Sequence, residues 1–231
     1  MKTIGLIGGM SWVSSAEYYR LINALVKEKL GGLHSAKSVM LSVDFDELEA
    51  LQRAEDWGEM ARMMIDAAQR LETAGAGLIV ICANTMHKVA DDVQKAIGIP
   101  LVHIVDATGE RIRAAGMTRV GLLGTRFTME DNFYRDRLAE KYGLDVLIPD
   151  EDERRLIHAV IYEELCVADV RQESKERFVE IIGRLSSHRA EGVILGCTEI
   201  PLLIKEDDVD VPLFETTRIH AEAAVDYALA D

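Results

Sequence analysis

The fold of this chain is decided by Ile4-Gly-Leu-Ile-Gly-Gly-Met-Ser11, a short apolar run that ends in a glycine-rich turn. The second half of the chain repeats the pattern in Val120-Gly-Leu-Leu-Gly-Thr-Arg-Phe127. Other short β-branched runs alternate with helical patterns, and strands separated by helices indicate parallel βαβ units. The sequence therefore predicts an α/β fold. The predicted strands span 3–7, 39–43, 78–82, 101–105, 119–123, 146–148 and 193–195, with helices at 129–142 and 216–229.

A second pair of related segments follows the first pair in the same order. Apolar strands run into short polar turns in Gly77-Leu-Ile-Val-Ile-Cys-Ala-Asn-Thr-Met-His87 and in Gly192-Val-Ile-Leu-Gly-Cys-Thr-Glu-Ile200. Two motifs that repeat at nearly one interval predict two pseudo-symmetric lobes, each a mainly parallel sheet flanked by helices. Because open α/β sheets bind ligands at the carboxyl ends of their strands, we expect the active site in the cleft between the lobes.

The limits of the lobes follow from a turn signal and from the C-terminal tail. Gly98-Ile-Pro100 is a turn signal before the strand predicted at 101. The tail after Pro212 has no counterpart in the first half of the chain. We therefore predict a first lobe of residues 1–98 with 208–231, and a second lobe of residues 99–207.

Composition and charge restrict the partners of the protein. The chain has 231 residues, of which 48% are hydrophobic, and a formal net charge of -14. A packed core is therefore expected, whereas nucleic acid and anionic membrane surfaces are not. The strand at the start leaves no room for a signal sequence. Three irregularly spaced cysteines, and no zinc-ligand spacing among the histidines, indicate a cytoplasmic protein without disulfides or a metal site.

Cys197 has the most distinctive chemistry in the polar turns. A free thiol has a pKa near 8.5, and a helix that begins after Cys197 would lower that pKa and supply a thiolate as base or nucleophile. A buried thiol can equally be a small hydrophobic residue. Alignment of Asn84-Thr85 with Thr198-Glu199 places Ala83 opposite Cys197. Since side chains alternate along a strand, Cys82 is expected to point into the core of its lobe.

Hydroxyl and amide side chains stand in all four turns and can hold a carboxylate together with backbone N–H groups. The same residue types cap helices, so each has two interpretations. These residues are Ser11, Asn84, Thr85, Thr125, Thr128 and Thr198. Other features have a structural interpretation: Ser14-x-x-Glu17 as a capping box, 150–153 as a helix start and Cys166 as packing on a helix face. His87 and His220 fit a structural or a functional role.

Eight blocks of sequence stand in register over nearly the full chain. They are Gly8-Gly-Met-Ser-Trp12 with Tyr18-Tyr19, Val43-Asp-Phe45, Gln52-Arg53, Asn84-Thr-Met-His-Lys88, Gly124-Thr-Arg-Phe-Thr-Met129, Gly196-Cys-Thr-Glu199 and Ile219-His-Ala-Glu222. Together they resemble the aspartate/glutamate racemase family. The resemblance implies two pseudo-symmetric α/β lobes with the active site between them, an amino-acid substrate, a homodimer, and chemistry without pyridoxal phosphate or any other cofactor.

The resemblance also implies roles for individual residues. In the family, one thiolate removes the Cα proton and an opposite thiol returns a proton to the other face. Cys197 would act on the L-enantiomer, and Arg53 would pair with a side-chain carboxylate. The α-carboxylate would be held by Asn84, Thr85, Thr125 and Thr198, and the substrate-binding set would be completed by Met10, Ser11, Thr128 and Glu199.

Ala83 departs from the two-cysteine pattern, because alanine cannot exchange a proton. Members of the family with threonine at this position are known, and the sequence is compatible with a natural alanine and with an introduced one. We predict a racemase of small acidic amino acids with Cys197 as principal acid/base. Its activity would be weak or one-sided, with water or Thr85 supplying the missing proton. The alternatives are a one-cysteine decarboxylase or isomerase of a dicarboxylate, and an amino-acid-binding protein that has lost catalysis.

Overall fold

The computed structural model describes residues 1–230, which form two compact units. The first unit consists of residues 1–104 together with the C-terminal helix from His220 onward, and the second unit is Val105–Ile219. Each unit is built around its own parallel sheet flanked by helices, as the sequence predicts.

Both unit boundaries lie later in the chain than the sequence predicts. The segment after residue 98 belongs to the first unit, because the Val102 N–H donates a hydrogen bond to the Ile79 carbonyl at 2.9 Å. The segment after residue 208 belongs first to the second unit, because the strand Leu213–Glu215 pairs with that unit's sheet. Residue 231 of the predicted first lobe lies outside the described residues.

The first unit contains a three-stranded parallel sheet of order β2-β1-β3. Its strands are β1 (Ile4–Gly8), β2 (Ser38–Ser42) and β3 (Leu78–Ile81). Its helices are α1 (Trp12–Leu30), α2 (Phe45–Arg53), α3 (Trp57–Thr73) and α4 (Ala90–Ala96), and a 3-10 turn spans Thr85–Val89.

Side chains at the end of β3 alternate between two hydrophobic clusters, as the period of a strand requires. Val80 packs in the cluster that contains residues of α1 and of the C-terminal helix, whereas Ile81 packs in the cluster that contains residues of α3. The alternation continues beyond the strand, since Cys82 belongs to the first cluster and Ala83 to the second. Cys82 therefore points into the core, as the sequence predicts.

The second unit contains a four-stranded parallel sheet of order β5-β4-β6-β7. Its strands are β4 (Arg119–Gly124), β5 (Asp145–Leu147), β6 (Val193–Gly196) and β7 (Leu213–Glu215). The remaining helices are α5 (Ile104–Ala114), α6 (Arg126–Glu130), α7 (Asn132–Tyr142), α8 (Glu151–Glu163), α9 (Gln172–Ser187), α10 (Ile200–Leu203) and α11 (Thr216–Leu229). Helices α5 and α11 contain the two unit boundaries.

One predicted strand is wrong, one predicted helix is divided in two, and one strand was not predicted. The strand predicted at 101–105 is a single bridge at Leu101, because α5 begins at Ile104. The helix predicted at 129–142 is the pair α6 and α7, which ends as expected at Gly143 in the left-handed region. Strand β7 was not predicted, because the sequence analysis treated the residues after Pro212 as a tail.

Of two predictions about where helices start, one is wrong and one is confirmed. Helix α1 begins at Trp12 with Ser11 as its N-cap, so Ser14-x-x-Glu17 is not a capping box. Instead, Glu17 lies within the first turns of α1 and pairs with Arg20. The acidic run that begins at Asp150 does start α8, through a capping box between Asp150 and residue 153. None of the helices within residues 1–230 is both long and apolar enough to cross a membrane.

Candidate active site

Each unit carries a glycine-rich turn and a polar turn at the carboxyl ends of two neighbouring strands. In the first unit these strands are β1 and β3, and in the second unit they are β4 and β6. Because parallel neighbours end at the same edge of a sheet, each unit brings its two turns together. The predicted site residues of the two turns therefore lie at one edge of the sheet in each unit.

The glycine-rich turn of the first unit follows β1. Gly9 has a φ of +94°, and a Cβ at this position would lie 2.1 Å from the Val43 carbonyl oxygen, so only glycine fits. Ser11 caps α1, with its Oγ accepting the Ser14 N–H at 3.5 Å. The Gly9 N–H donates to Ser15 Oγ at 2.7 Å. Ser11 thus has the capping role, and its role toward substrate stays a prediction.

The polar turn of the first unit is buried. The exposed fractions of Asn84 and Thr85 are 3% and 6%. Ala83 packs in the same hydrophobic cluster as Met10 and Met86, two residues that flank the turns. Position 83 therefore carries only a methyl group, which can neither accept nor donate a proton.

The glycine-rich turn of the second unit has the same capping arrangement. Thr125 is the N-cap of α6, and its Oγ1 accepts the Thr128 N–H at 3.3 Å and lies 3.2 Å from Thr128 Oγ1. Both threonines are buried. At the next residue, the Arg126 N–H donates to His158 Nδ1 at 3.3 Å. The structure confirms the capping interpretation, and carboxylate binding by these threonines stays a prediction.

In the polar turn of the second unit, two predicted site residues donate hydrogen bonds to one carboxylate oxygen of a third. The Cys197 thiol donates to Glu199 Oε2 with Sγ 3.0 Å from it, and the Thr198 hydroxyl donates to the same oxygen at 2.7 Å. All three side chains are buried. A buried carboxylate that accepts two hydrogen bonds from adjacent protic groups is satisfied and fixed in orientation.

The pKa of Cys197 is raised, whereas the sequence predicts that it is lowered. Burial raises its pKa well above the ordinary value, and the Glu199 carboxylate raises the pKa further, because both disfavour a thiolate. The predicted lowering by a helix N-terminus is wrong, since α10 has four residues and starts only at Ile200. In the resting protein Cys197 is therefore a protonated thiol that acts as a hydrogen-bond donor.

The other two cysteines have different environments. Cys82 is fully buried in an apolar cluster, and burial raises its pKa. Cys166 lies in a 3-10 turn, Leu165–Val167, and not on the helix face that the sequence predicts. Burial, followed by the charge of Glu199, raises the pKa of Cys166. Both groups are thiols at neutral pH.

The side chain of Arg53 is exposed. Its guanidinium pairs with Glu49 one helical turn away, and 74% of the side chain is exposed. The neighbouring Gln52 is buried instead, and its Nε2 lies 3.9 Å from Met86 Sδ in the polar turn. Sequence reasoning did not single out Gln52 as a candidate site residue. The signal was present, because Leu48 and Gln52 are four residues apart and form the buried face of α2.

Two histidines near the first unit's turns are also buried. His87 and His220 are 3% and 0% exposed, and their ring centroids are 5.5 Å apart. Burial lowers the pKa of His220 to about 4, so its imidazole is neutral at pH 7. Among residues 1–230, His, Cys, Asp and Glu side chains form no group of three or more that could hold a metal ion.

The two α/β units, each with a parallel sheet flanked by helices, match the two-lobed fold of solved racemase structures. The chain belongs to the Asp/Glu/Hydantoin racemase family, whose sequence pattern matches residues 7–224. Family membership supports a racemase-type function and confirms the resemblance drawn from the eight sequence blocks.

Two related solved structures span the whole chain, and a curated relative spans three quarters of it. An Asp/Glu racemase candidate from Yersinia pestis is 52% identical, with a TM-score of 0.93 and 100% coverage of both chains. An aspartate racemase homologue from Pyrococcus horikoshii OT3 is 39% identical, with a TM-score of 0.86 and the same coverage. The broad specificity amino-acid racemase RacX of Bacillus subtilis is 25% identical over 178 residues, which are 76% of this chain and 75% of that protein.

Proposed function

We propose that this protein is a cofactor-independent racemase of small acidic amino acids, with Cys197 as the principal acid/base. The observation that carries the proposal is the hydrogen bond of 3.0 Å from the Cys197 thiol to Glu199 Oε2. It joins a group that can exchange a proton with carbon to a carboxylate that can receive the thiol proton. Family membership supports the reaction class.

The proton balance of the proposed reaction begins at the thiol. The Cys197 proton moves to Glu199, which leaves a thiolate and a neutral carboxylic acid. The thiolate then takes the Cα proton of the L-amino acid, and the electron pair of the C–H bond remains on the substrate as a carbanion. A proton delivered to the opposite face of Cα gives the D-amino acid. Return of one proton to solvent restores the resting protein.

Ala83 makes the second proton transfer, from the protein or water to the opposite face of Cα, the slower step. The residue contributes a methyl group to a hydrophobic cluster and carries no exchangeable proton. We propose that water or the Thr85 hydroxyl donates the proton instead. A hydroxyl is a much weaker acid than a thiol, so donation to the carbanion is slower. The expected activity is exchange of the Cα proton with little inversion of configuration.

Substrate binding in this proposal uses the buried turns. Asn84, Thr85, Thr125 and Thr198 would hold the α-carboxylate through amide, hydroxyl and adjacent backbone N–H groups. For the side-chain carboxylate we keep Arg53 as the predicted partner and add Gln52, whose amide is buried beside Met86. Met10, Ser11 and Thr128 complete the set as residues of the turns themselves.

The test is incubation with L-aspartate or L-glutamate in deuterated water. We expect deuterium at Cα, and a loss of exchange of about 100-fold to 10,000-fold in Cys197→Ser, the range that a positioned acid/base contributes. Cys166→Ala is the matched control for removal of a thiol and should retain exchange within about threefold. Absence of exchange in the wild-type protein with either amino acid would reject the proposal.

A second candidate function is favoured by the protonated state of Cys197. A single thiol that rests as a proton donor suits a one-cysteine decarboxylase or isomerase, in which loss of carbon dioxide or a double-bond shift makes the carbanion. Release of carbon dioxide from a dicarboxylate, without Cα exchange of amino acids, would favour this candidate. Thermal stabilisation by an acidic amino acid without any turnover would instead favour a binding protein that has lost catalysis.

We further propose a cytoplasmic homodimer that needs no pyridoxal phosphate. The support is the family resemblance together with the reduced cysteines at positions 82, 166 and 197. Sedimentation equilibrium should give twice the chain mass, and cell fractionation should recover the protein with cytoplasmic markers. Exchange that is unchanged after hydroxylamine treatment would show that pyridoxal phosphate is not required, whereas its loss would contradict that part of the proposal.

A further inference from the structure

His87 connects the polar turn of the first unit to residues 102–104, the segment that leads into α5. Its Nδ1 lies 2.8 Å from the Ala83 carbonyl oxygen, and its Nε2 lies 3.2 Å from the Ile104 nitrogen. A carbonyl can only accept and a backbone N–H can only donate, so Nδ1 carries the proton and Nε2 is the acceptor. Both ring nitrogens are used, and only this neutral tautomer satisfies both contacts.

His220 has the opposite tautomer. Its Nε2 lies 2.7 Å from the Val102 carbonyl oxygen and its Nδ1 lies 2.8 Å from the Tyr18 hydroxyl. The carbonyl requires a proton on Nε2, so Nδ1 accepts the Tyr18 O–H. His220 therefore holds the residue 102 end of the same segment that His87 holds at Ile104.

The two imidazoles pack against each other and against a third. The rings of His87 and His220 meet edge to face with centroids 5.5 Å apart, and the His103 ring lies 4.8 Å from that of His87. All three residues are less than a tenth exposed. Packing on both sides limits rotation of the His87 ring, so its hydrogen bond to residue 83 has a fixed direction.

We propose that His87 is a positioning residue that sets the backbone at position 83, supported by His220 and Tyr18. This inference rests on the proposed function, in which residue 83 occupies the place of the second proton-exchanging group. A held carbonyl fixes the planar peptide between residues 83 and 84. It thereby fixes the position of the residue 83 Cα and the direction of the Asn84 N–H, and Asn84 is proposed to hold the substrate carboxylate.

Two substitutions separate the contacts of His87. His87→Asn keeps a donor near the place of Nδ1 and loses the acceptor for the Ile104 N–H, whereas His87→Gln keeps an acceptor near Nε2 and loses the donor to the Ala83 carbonyl. We expect kcat for Cα exchange to fall at least tenfold in His87→Gln and less than threefold in His87→Asn. KM should stay within threefold in both. The exposed His34→Gln is the control for loss of an imidazole.

A readout that needs no turnover uses the Ala83→Cys background. The rate at which iodoacetamide labels the introduced thiol, resolved by mass spectrometry, reports the placement and mobility of residue 83. We expect His87→Gln to raise this rate at least tenfold and His87→Asn to change it less than threefold. The ¹H–¹⁵N spectrum of the wild-type imidazoles should show His87 protonated at Nδ1 and His220 at Nε2.

The outcomes distinguish this inference from the proposed function. Absence of Cα exchange in the wild-type protein would reject the function, and the labelling rates and tautomers would still decide the role of His87. Equal labelling rates in the Asn and Gln variants, or a His87 that is protonated at Nε2, would overturn the inference. A loss of kcat in both variants that matches their loss of folded protein would assign His87 a purely structural role and would also overturn it.

Discussion

The two polar turns occupy matching places in the two units but carry unlike chemistry. In the second unit, two protic groups of Cys197 and Thr198 converge on one buried carboxylate oxygen of Glu199. In the first unit, the matching position is the methyl group of Ala83 in a hydrophobic cluster. The strand and turn thus fix where a side chain stands, whereas the side chain alone decides whether a proton can be exchanged there.

The turns also differ in how their backbone is held. In the first unit, a buried imidazole accepts an N–H and donates to the carbonyl of residue 83. In the second unit, the Thr216 hydroxyl donates to the Leu195 carbonyl at 2.8 Å, two residues before Cys197. A buried histidine therefore holds the backbone of the first turn, whereas a threonine hydroxyl holds the strand that leads into the second. This difference predicts that the two turns respond differently to mutation and to pH.

The largest expected effect comes from making the turns alike. Ala83→Cys places a thiol at the position that matches Cys197, and a positioned acid/base contributes about 100-fold to 10,000-fold. We expect the rate of racemisation of L-aspartate or L-glutamate, followed by polarimetry, to rise on the order of a thousandfold. Ala83→Ser is the control of similar size with a weaker acid. An equal rate in the Cys and Ser variants would contradict the assignment of position 83.

Acidification should weaken the first unit through His220. Its pKa is lowered by burial to about 4 from about 6.5, so the native state takes up the proton less readily than the unfolded chain. The contribution to the free energy of unfolding is complete above pH 6.5 and is lost as pH falls through 4. The loss is about 3 kcal/mol.

Urea unfolding at several pH values checks this expectation. The difference between the wild-type protein and His220→Gln should be constant above pH 7 and should decrease toward pH 4, because glutamine cannot titrate. The Tyr18→Phe variant, which removes the O–H that His220 Nδ1 accepts, should be less stable at pH 7 and should keep the same pH dependence. A difference that does not change with pH would show that His220 titrates normally.

The sequence was sufficient for the fold class, and the site residues that it indicates stay a prediction. Repeated glycine turns and the period of two along β3 predicted both sheets and separated Cys82 from Ala83. Prediction from sequence failed where contacts between separate elements determine the secondary structure. Leu101 makes one bridge because α5 starts at Ile104, a competition between elements that hydrophobic pattern does not show.

The electrostatic state of the site was harder to predict than its position. Glu199 is two residues from Cys197, but only the folded turn shows that its carboxylate accepts a hydrogen bond from the thiol and that burial raises the pKa of Cys197. The partners of His220 include Tyr18, which is 202 positions away in the chain. No local pattern could connect these two residues.

Glu199→Gln tests the difference between the two polar turns, because it removes the negative charge from the turn of the second unit. The charge of Glu199 is the second cause, after burial, of the raised pKa of Cys197, so its loss should lower that pKa. Cα exchange should fall about 100-fold, because glutamine cannot receive the thiol proton that the proposed reaction moves to Glu199. The pH profile of iodoacetamide labelling at Cys197 should move to lower pH. A profile that moves upward or stays in place would exclude a role for the carboxylate.

The smallest expected effect distinguishes two neighbouring side chains of α2. Arg53 is mostly exposed and paired with Glu49, so Arg53→Gln should change KM for L-aspartate less than about twofold, because exposed ion pairs contribute little. Gln52 is buried beside Met86, so Gln52→Ala should raise KM by about tenfold through loss of a buried amide hydrogen bond. The two KM values, measured from initial exchange rates, show which of the two residues contributes more to substrate binding. A larger effect at position 53 would restore Arg53 as the partner of the substrate carboxylate and would require its side chain to leave Glu49 when substrate binds.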